Sequence, residues 1–271
     1  MLIHDVITHL ESIAPPAYQE TYDNAGLITG SASWECKGIL TCLDATEEVI
    51  DEALQKRCNL VVAHHPIVFT GLKKINGKNY VERAVIRAIK NDIAIYAIHT
   101  NLDSVLDGVN GRMADKLELV SRQILLPKAT CDIVLSNDHF QEIGSGLTGE
   151  LPRSMDEAAF LALLKERFSL TVIRHTPLLR RPVKKVALCG GSGSFLIPRA
   201  LAAGVDVFIT SDIKYHEFFD ANGQMLVADI GHYESEQFTI DLLYDILHKK
   251  IPTFAVLKTE VNTNPVHYFP A

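Results

Sequence analysis

The sequence predicts an α/β protein made of two similar domains, each with a mainly parallel sheet. Short apolar runs alternate with amphipathic helical segments along most of the chain, which is the pattern of parallel strands joined by helices. The second half of the chain also repeats the plan of the first half. A length of 271 residues favours two domains over one.

The first half begins with a predicted helix and continues with three strands. The helix has one apolar face, and Pro15-Pro16 ends it; the residues of that face are Ile3, Val6, Ile7 and Leu10. The segments that follow are, in order, a strand at 39–43, a helix from about residue 46, a strand at 60–63, a loop rich in Gly and Lys at 71–78, a helix, and a strand at 93–98.

The second half repeats these elements, at one spacing for the first two strands and at another for the third. Cys42 and Cys189 lie in matching strands 147 positions apart, and the same offset pairs residues 60–62 with residues 207–209 without a gap. Further along, Ile98 pairs with Ile230 at an offset of 132. The change of offset indicates that the first half carries about fifteen extra loop residues after its second strand.

The predicted domains are residues 1–127 and residues 128–271. The segment that follows the boundary joins the second domain, and its helix is predicted to open with Ser154 and Glu157 as a capping box. The last predicted strand, at 253–257, can instead return to the sheet of the first domain.

Composition excludes several classes of protein. With 26 Lys+Arg against 33 Asp+Glu and no basic run longer than two, the chain lacks the surface that duplex binding requires, so we expect no nucleic-acid partner. The 5 Cys are scattered, which argues against a disulfide framework and favours buried thiols in a reducing compartment. No apolar stretch reaches the roughly 18 residues of a membrane-spanning helix. The N-terminal residues do not resemble a signal peptide. We therefore expect a cytoplasmic protein without a membrane partner.

Adjacent histidines end the second strand. Successive side chains of a strand point to opposite faces, so if His64 and His65 both bind metal, they more naturally serve two ions than one. The alternative is that one of them is a polar cap on the end of the strand.

A second polar group follows the third strand, in the sequence His99-Thr100-Asn101-Leu102-Asp103. The carboxyl ends of parallel strands are where open α/β sheets bind ligands. Asp103 is therefore a candidate anionic ligand, and His99 is a candidate acid or base beside it. An Asp at this distance from a strand also serves as a turn former or helix cap.

A third group opens the last long helix, which is predicted to run from Gly231 to about Lys250. His232 and Glu236 are four residues apart and share one helix face, which makes them candidate co-ligands. Glu234 points elsewhere and is either a solvated charge or a proton carrier.

The candidate ligands in these three groups are three imidazoles and two carboxylates, with no thiolate: His64, His65, His232, Asp103 and Glu236. Such donors suit Zn²⁺, Mn²⁺, Fe²⁺, Co²⁺ or Ni²⁺. Two divalent ions with two carboxylates keep a net positive charge, which attracts anions such as phosphate. A water molecule bound to such a pair becomes a nucleophile near neutral pH.

The glycine-rich loop Gly190–Ser194 (GGSGS) has backbone N–H groups that can cradle an oxyanion, or it is a turn that needs positive φ. It lacks a third Rossmann glycine and the Walker lysine, so it predicts neither dinucleotide nor P-loop binding. Residues 214–217 (KYHE) are further candidates for substrate contact. The basic pairs at 180–181 and 184–185 are interpreted as a solvated face.

Five motifs keep a defined order and spacing over essentially the whole chain: Tyr22–Leu27 (YDNAGL), Ala63–Pro66 (AHHP), His99–Asp103 (HTNLD) with Gly108–Asn110 (GVN), the Gly190–Ser194 loop, and Gly231-His232 with Glu236. In these motifs the chain resembles the NGG-interacting-factor-three-like proteins, whose bacterial members are named GTP cyclohydrolase I type 2 homologs. It departs from the family at Tyr22, where relatives often have Trp, and at Ser211-Asp212, where relatives can have Gly-Glu.

The resemblance implies two similar α/β domains, a dinuclear metal site in the cleft between them, and a ring-shaped homohexamer. It also implies a role for each ligand by position. His65 and Asp103 would bind one divalent ion, His64 and His232 the other, and Glu236 would bridge both.

We therefore hypothesise a dinuclear metal-dependent hydrolase with GTP cyclohydrolase-type activity on a nucleotide or small phosphorylated substrate. His99 or Glu234 would move the proton. One alternative is a metal-binding scaffold or chaperone-like ring without catalysis, and another is a metal-dependent phosphatase. Catalytic sites keep an open coordination position, whereas protein ligands close structural ones. Five ligands for two ions leave positions open, which favours catalysis.

Overall fold

A computed structural model describes residues 1–128 and 142–269 of the chain. Within these residues, no helix combines the length and the apolar character needed to cross a bilayer. Four of the cysteines are buried free thiols, namely Cys36, Cys42, Cys58 and Cys189. Cys131, also predicted to be a buried thiol, lies outside the described residues.

The chain forms two compact units. Unit 1 contains Met1–Leu102 and Thr239–His267, and unit 2 contains Asp103–Phe238 and the residues from Tyr268 onward. The domain boundary predicted at residue 127 concerns which segments can fold on their own, and it stays a prediction. The packed units divide at residues 102 and 238.

Unit 1 is built around a five-stranded sheet. Its helices are α1 (Ile3–Ile13), α2 (Glu47–Gln55), α3 (Tyr80–Lys90) and α4 (Thr100–Asp103, whose last residue belongs to unit 2), with a 3₁₀ turn at Pro16–Tyr18; its strands are β1 (Gly26–Thr29), β2 (Ile39–Asp44), β3 (Leu60–His65) and β4 (Ala94–Ala97). The strand order is β1-β4-β3-β2 followed by the last strand of the chain. Only β1 pairs antiparallel among these strands, so this sheet is mainly parallel, as predicted.

Unit 2 is built around a six-stranded sheet. Its elements are α5 (Val109–Lys116), α6 (Glu157–Arg167), α7 (Ile197–Ala202) and α8 (His232–Glu236), with 3₁₀ turns at Ser194–Leu196 and Tyr215–Ala221, and strands β5 (Val120–Pro127), β6 (Gly144–Asp156), β7 (Arg174–His175), β8 (Pro182–Ser192), β9 (Val207–Ser211) and β10 (Leu226–Asp229). The strand order is β5-β6-β8-β9-β10-β7. The three strands β8, β9 and β10 are parallel, and antiparallel strands flank them on both sides.

The last two elements, α9 (Thr239–Lys250) and β11 (Val256–Lys258), return to unit 1. β11 pairs in parallel with β2 and forms an edge of the first sheet. α9 packs against β2 and β3. The prediction of one continuous helix from Gly231 to about Lys250 is therefore wrong. The helix is interrupted after Glu236, close to the point where the chain passes from one unit to the other.

Each sheet buries both faces under helices. In unit 1, alternate strand residues such as Leu40 and Val61 pack with the apolar residues of α2 and α3. In unit 2, Leu188 and Ile209 pack with α5 and α6, whereas Ala187 and Phe208 pack with α7 on the other face. Burial on both faces explains why these strands read as continuous apolar runs.

The strand registers confirm the internal repeat. Ile39 pairs with Leu60 in unit 1, and Val186 pairs with Val207 in unit 2, which reproduces the offset of 147 in both partners. The next pairings, Leu60 with Ala94 and Val207 with Leu226, reproduce the later offset of 132. The repeated unit is therefore a strand, a helix and two further parallel strands.

One local prediction is wrong. The helix α6 begins at Glu157 and is capped by Asp156, whose side chain accepts a hydrogen bond of 2.9 Å from the Ala159 N–H. Ser154 lies in β6 and cannot form the predicted capping box. The Glu157 carboxylate instead accepts hydrogen bonds from the N–H groups of Leu179 and Arg180.

Candidate metal centre

Three histidines of unit 1 lie together at the carboxyl ends of β3 and β4. Their ring centroids are 4.9 Å apart for His64 and His65, 5.2 Å for His64 and His99, and 5.3 Å for His65 and His99. Each offers a ring nitrogen within 4.8 Å of the others. His64 is fully buried, and the other two are partly buried. We call these residues the histidine cluster. The opposite directions expected for His64 and His65 do not separate their rings widely.

Each imidazole of the histidine cluster is oriented by an oxygen acceptor at Nδ1. The acceptors are the carbonyl of Ile98 for His64 at 2.9 Å, the carboxylate of Asp44 for His65 at 2.8 Å, and the carboxylate of Asp23 for His99 at 2.7 Å. Because carbonyl and ionised carboxylate oxygens only accept hydrogen bonds, Nδ1 carries the proton in each ring. In the neutral rings, Nε2 is then the nitrogen with a lone pair for a metal ion.

The two aspartates are themselves fixed. Asp44 accepts a hydrogen bond of 2.6 Å from the Thr263 hydroxyl. Burial raises the pKa of Asp44, but the hydrogen bonds from His65 and Thr263 and the nearby imidazole charge outweigh burial and lower it. Asp44 therefore stays ionised behind His65.

Asp23 has the same role behind His99. Burial raises its pKa, yet hydrogen bonds from His99, from the Thr100 hydroxyl and from the Asn24 N–H hold the pKa well below its usual range. The Thr100 N–H also donates to this carboxylate at 3.0 Å. An ionised Asp23 therefore fixes the orientation of the His99 ring.

A second group lies in unit 2 around His232. The Nε2 atom of His232 is 3.1 Å from a carboxylate oxygen of Glu236, and its Nδ1 is 2.6 Å from Asp212. Ser192 donates its hydroxyl hydrogen bond to the same Asp212 oxygen. A carboxylate oxygen of Asp103 lies within 4.8 Å of one from Glu236. We call Asp103, Asp212, His232 and Glu236 the carboxylate cluster.

The carboxylate cluster holds a proton on His232. Burial lowers the pKa of this imidazole, but the hydrogen bonds to Asp212 and Glu236, together with their negative charges, outweigh burial and raise it to about 11. The imidazolium thus lies between two carboxylates. A metal ion bound at Nε2 would replace the proton and meet the same Glu236 oxygen.

Asp212 has a backbone conformation that is uncommon outside glycine. Its φ is 56°, in the left-handed region, which Asp tolerates better than most residues. The turn directs its carboxylate to His232, directly after the strand β9. The sequence gives only a weak signal for Asp212, because relatives can have Glu at this position. Asp44 and Asp23 were also not predicted as part of the site.

The glycine-rich loop packs against the carboxylate cluster and does not offer a cradle for an anion at its first two residues. The N–H of Gly190 donates to the Asn110 side chain at 2.9 Å, and the N–H of Gly191 donates to the Ser235 hydroxyl at 3.0 Å. A Cβ on Gly191 would lie 2.4 Å from a Glu236 oxygen. Gly191 is therefore required for the close approach of the Glu236 carboxylate.

Glu234 lies apart from the His232–Glu236 face. A Cβ on Gly231 would be 2.2 Å from a Glu234 carboxylate oxygen, and Glu234 forms a hydrogen bond with Tyr268. In the segment 214–217, the Glu217 side chain accepts from the Lys214 N–H and so stabilises the 3₁₀ turn that follows. These contacts give that segment a structural role.

The basic pairs also make structural contacts. The Arg181 guanidinium donates to the carbonyls of Gly223 and Gln224, and Lys185 donates to the carbonyl of Ala203. Arg181 and Lys185 therefore help to join loops of unit 2.

The donors of both clusters fit divalent transition ions. The histidine cluster supplies imidazole nitrogens held in one tautomer, and the carboxylate cluster supplies one further imidazole with ionisable oxygens beside it. These are the nitrogen and oxygen ligands that Zn²⁺, Mn²⁺, Fe²⁺, Co²⁺ and Ni²⁺ accept. Residues of both units can therefore bind metal.

Comparison with known proteins gives consistent matches over nearly the full chain. A sequence model of the family Duf34/NIF3 (NGG1p interacting factor 3) matches residues 1–265. A protein of Clostridium acetobutylicum named GTP cyclohydrolase 1 type 2 homolog is 32% identical over 271 residues, which cover 98% of each chain. A protein of the same name from Clostridium perfringens is 35% identical over 237 residues, or 87% of each chain.

Solved structures show the same fold. A Bacillus cereus protein related to NIF3 has a TM-score of 0.90 at 24% identity, and a Staphylococcus aureus hypothetical protein has a TM-score of 0.89 at 29% identity. Each comparison covers 99% of both chains.

Proposed function

Because the chain belongs to the Duf34/NIF3 family, we propose that it is a dinuclear metal-dependent hydrolase acting on a nucleotide or a small phosphorylated substrate. Hydrolytic opening of the guanine ring of GTP is the first candidate reaction, since its relatives are named GTP cyclohydrolase 1 type 2 homologs. One observation carries the metal-dependent part of this proposal. All four histidines of the two clusters have Nδ1 bonded to an oxygen acceptor, which is how metal-ligating histidines are usually oriented.

We propose one role for each ligand. His65 and Asp103 would hold one ion, His64 and His232 would hold the second, and Glu236 would contribute its carboxylate to both. The burial of Glu236, whose side chain is 3% exposed, supports this role. Neighbouring carboxylates repel each other, so a metal ion would stabilise the partly buried Asp103 together with the buried Glu236.

When bound, a pair of divalent ions supplies a water molecule activated near neutral pH and stabilises the negative charge of the displacement. The chain's own residues would hold the substrate and move the proton. His99 accepts or delivers that proton at Nε2, because its Nδ1–H is held by Asp23. Glu234 is the other candidate proton carrier, and its hydrogen bond with Tyr268 fixes its position.

The proposal is tested by metal analysis followed by a substrate screen. Protein purified without chelator and supplemented with divalent ions is expected to contain close to two ions per chain. The loaded protein is then incubated with GTP, other nucleotides and phosphate esters, and products are identified by mass spectrometry. A Glu236→Gln variant, which is expected to bind metal poorly, is the matched control for activity from contaminants.

Each outcome selects one function. A ring-opened nucleotide supports the cyclohydrolase reaction, whereas release of phosphate with an intact ring indicates the phosphatase alternative. Two bound ions with no turnover of any compound would indicate the metal-binding scaffold. Metal content near zero after supplementation contradicts the dinuclear proposal altogether.

We also propose that the chain assembles as a cytoplasmic homohexamer, as the family resemblance implies. Light scattering coupled to size-exclusion chromatography is expected to give a mass six times that of one chain. A monomeric mass would contradict this part of the proposal and leave the metal site untouched.

A further inference from the structure

Two exposed aromatic rings lie beside the histidine cluster in unit 1. The side chains of Tyr22 and Phe69 are 64% and 47% exposed, and their ring centroids are 6.3 Å apart. The Phe69 ring is also 6.2 Å from the His99 ring, in an edge-on arrangement. We call Tyr22 and Phe69 the aromatic pair. The rings of His99, Phe69 and Tyr22 thus form a series, in which His99 is the candidate proton carrier and Tyr22 is the most exposed.

The loops that carry the aromatic pair are held together by polar contacts. The Asn24 side chain donates a hydrogen bond of 2.6 Å to the carbonyl of Val68, which directly precedes Phe69. Asp23, which directly follows Tyr22, is bonded to His99 and Thr100. Both rings are therefore attached to backbone that is fixed to the histidine cluster. Such an arrangement has little ordering cost when a planar ligand stacks on it.

The segment around Phe69 also carries positive charge. Residues 66–79 contain Lys73, Lys74 and Lys78 and no Asp or Glu. All three lysines are exposed. The chain as a whole has a net charge of −7, and the Glu82 carboxylate accepts hydrogen bonds from the N–H groups of Asn76 and Lys78. Lys73 and Lys74 are therefore the local positive charges that favour an anionic ligand.

We propose that the aromatic pair binds the planar heterocycle of a nucleoside phosphate, whose phosphate is attracted by Lys73 and Lys74. This inference deepens the proposed function and rests on it, since it identifies the substrate as a nucleotide and assigns recognition of the base to Tyr22 and Phe69. Proteins commonly bind a base by stacking it on aromatic side chains, and such stacking does not depend on the hydrogen-bonding groups of the base.

The test compares two probes that differ only by the presence of the base. Binding of GMP and of ribose 5-phosphate to the metal-supplemented protein is measured by isothermal titration calorimetry. The variants are Tyr22→Ala and Phe69→Ala, with Tyr22→Phe as the variant that keeps the ring. Phe219→Ala is the matched control, because Phe219 is 67% exposed and belongs to unit 2. Circular dichroism verifies that each variant is folded.

We expect GMP to bind more tightly than ribose 5-phosphate. Each ring deletion should raise the Kd for GMP by about tenfold, in line with the usual strength of base stacking, and leave the Kd for ribose 5-phosphate unchanged. Tyr22→Phe and Phe219→Ala should bind both probes as the unmodified protein does. The inference is overturned if GMP does not bind, if both probes bind equally, or if the ring deletions leave GMP binding unchanged.

Failure of this inference can be distinguished from failure of the proposed function. Base-selective binding without turnover of any nucleotide would contradict the hydrolase and support the aromatic pair. Turnover of a nucleotide with the same KM in the protein and in both ring deletions would support the hydrolase and contradict the aromatic pair.

Discussion

Asp44 and His65 face each other across the parallel strands β2 and β3, and the Asp44 carboxylate accepts a hydrogen bond of 2.8 Å from Nδ1 of His65. The carboxylate of Asp23 accepts the same kind of hydrogen bond from Nδ1 of His99, and that of Asp212 accepts one from Nδ1 of His232. Three carboxylates that are not proposed as metal ligands thus determine which nitrogen each imidazole presents.

The first prediction concerns Asp44. Asp44→Asn keeps the size of the side chain but removes the charge behind His65, so we expect metal affinity to fall by about tenfold to a hundredfold. Competition with a chromogenic chelator measures the change. Asp51→Asn, which removes a carboxylate that pairs with Arg87 on the surface of unit 1, is the control and should leave affinity unchanged. Equal affinities of the Asp44→Asn variant and the unmodified protein would show that Asp44 is only structural.

The second prediction separates two glutamates of α8. Glu236→Ala should lower the metal content strongly, because Glu236 is buried beside His232 and Asp103. Glu234→Ala should keep both ions, because the Glu234 carboxylate contacts Tyr268 and Gly231. Metal content per chain is measured by mass spectrometry after dialysis. Equal losses in the two variants would refute the assignment.

The third prediction is a pH dependence. The pKa of His232 is raised from 6.5 to about 11 by its two carboxylate partners, so in metal-free protein its contribution to stability is present below pH 6.5 and is lost as the pH rises toward 11. Metal binding has the opposite dependence, because the ion displaces the proton. Because the proton must leave His232 first, we expect metal affinity to rise by about tenfold for each unit by which the pH is raised, up to about pH 11.

Asp212→Asn provides the control for this dependence. The substitution removes one of the two negative charges that hold the proton, so metal affinity should change less steeply with pH above neutrality. Affinity is measured at several pH values in matched buffers. An unmodified protein whose metal affinity does not change with pH would contradict the assignment of His232 as a ligand.

The fourth prediction concerns Gly191. In Gly191→Ala the new Cβ would clash with the Glu236 carboxylate at 2.4 Å, and φ is +62°. Gly204→Ala is a matched control, since Gly204 has φ of +63° and open space around it. The control should lose about 1–2 kcal/mol from backbone strain alone, whereas Gly191→Ala should lose more stability and also metal. Thermal unfolding and metal analysis measure both effects, and identical behaviour of the two variants would argue against close packing at Gly191.

The fifth prediction tests His99 as the proton carrier. His99→Gln should lower kcat by about a hundredfold to ten-thousandfold on whichever substrate the screen identifies, with both metal ions retained. Metal analysis of the same preparation is essential, because His99 offers a ring nitrogen near those of His64 and His65. Loss of metal together with activity would make His99 a ligand instead.

The fold could be predicted well because its strands are buried on both faces and the repeat is regular. The pairing of Ile39 with Leu60 and of Val186 with Val207 follows directly from an offset visible in the sequence. The interruption between α8 and α9 could not be predicted, since Gln237-Phe238 contains no helix breaker. The chain leaves unit 2 at that point, and only the packing of α9 on β2 and β3 shows it.

Candidate ligands were visible in the sequence because they follow strand ends, but the residues that orient them were not. Asp23 lies in a loop without periodicity and meets His99 across 76 positions of sequence. Asp44 could have been inferred from the parallel register, which places it opposite His65. The glycines of the loop Gly190–Ser194 were evident in the sequence. It could not be predicted that the N–H groups of the first two donate hydrogen bonds to Asn110 and Ser235.

The pairing of β11 with β2 has a consequence for biosynthesis. During translation, the strands β1 to β4 emerge from the ribosome first, yet α9 and β11, which complete their sheet and cover it, are made only after all of unit 2 up to Phe238. Until then the nascent chain exposes the open edge of β2 and the apolar surface that α9 later covers. Unit 1 is thus begun first and completed last.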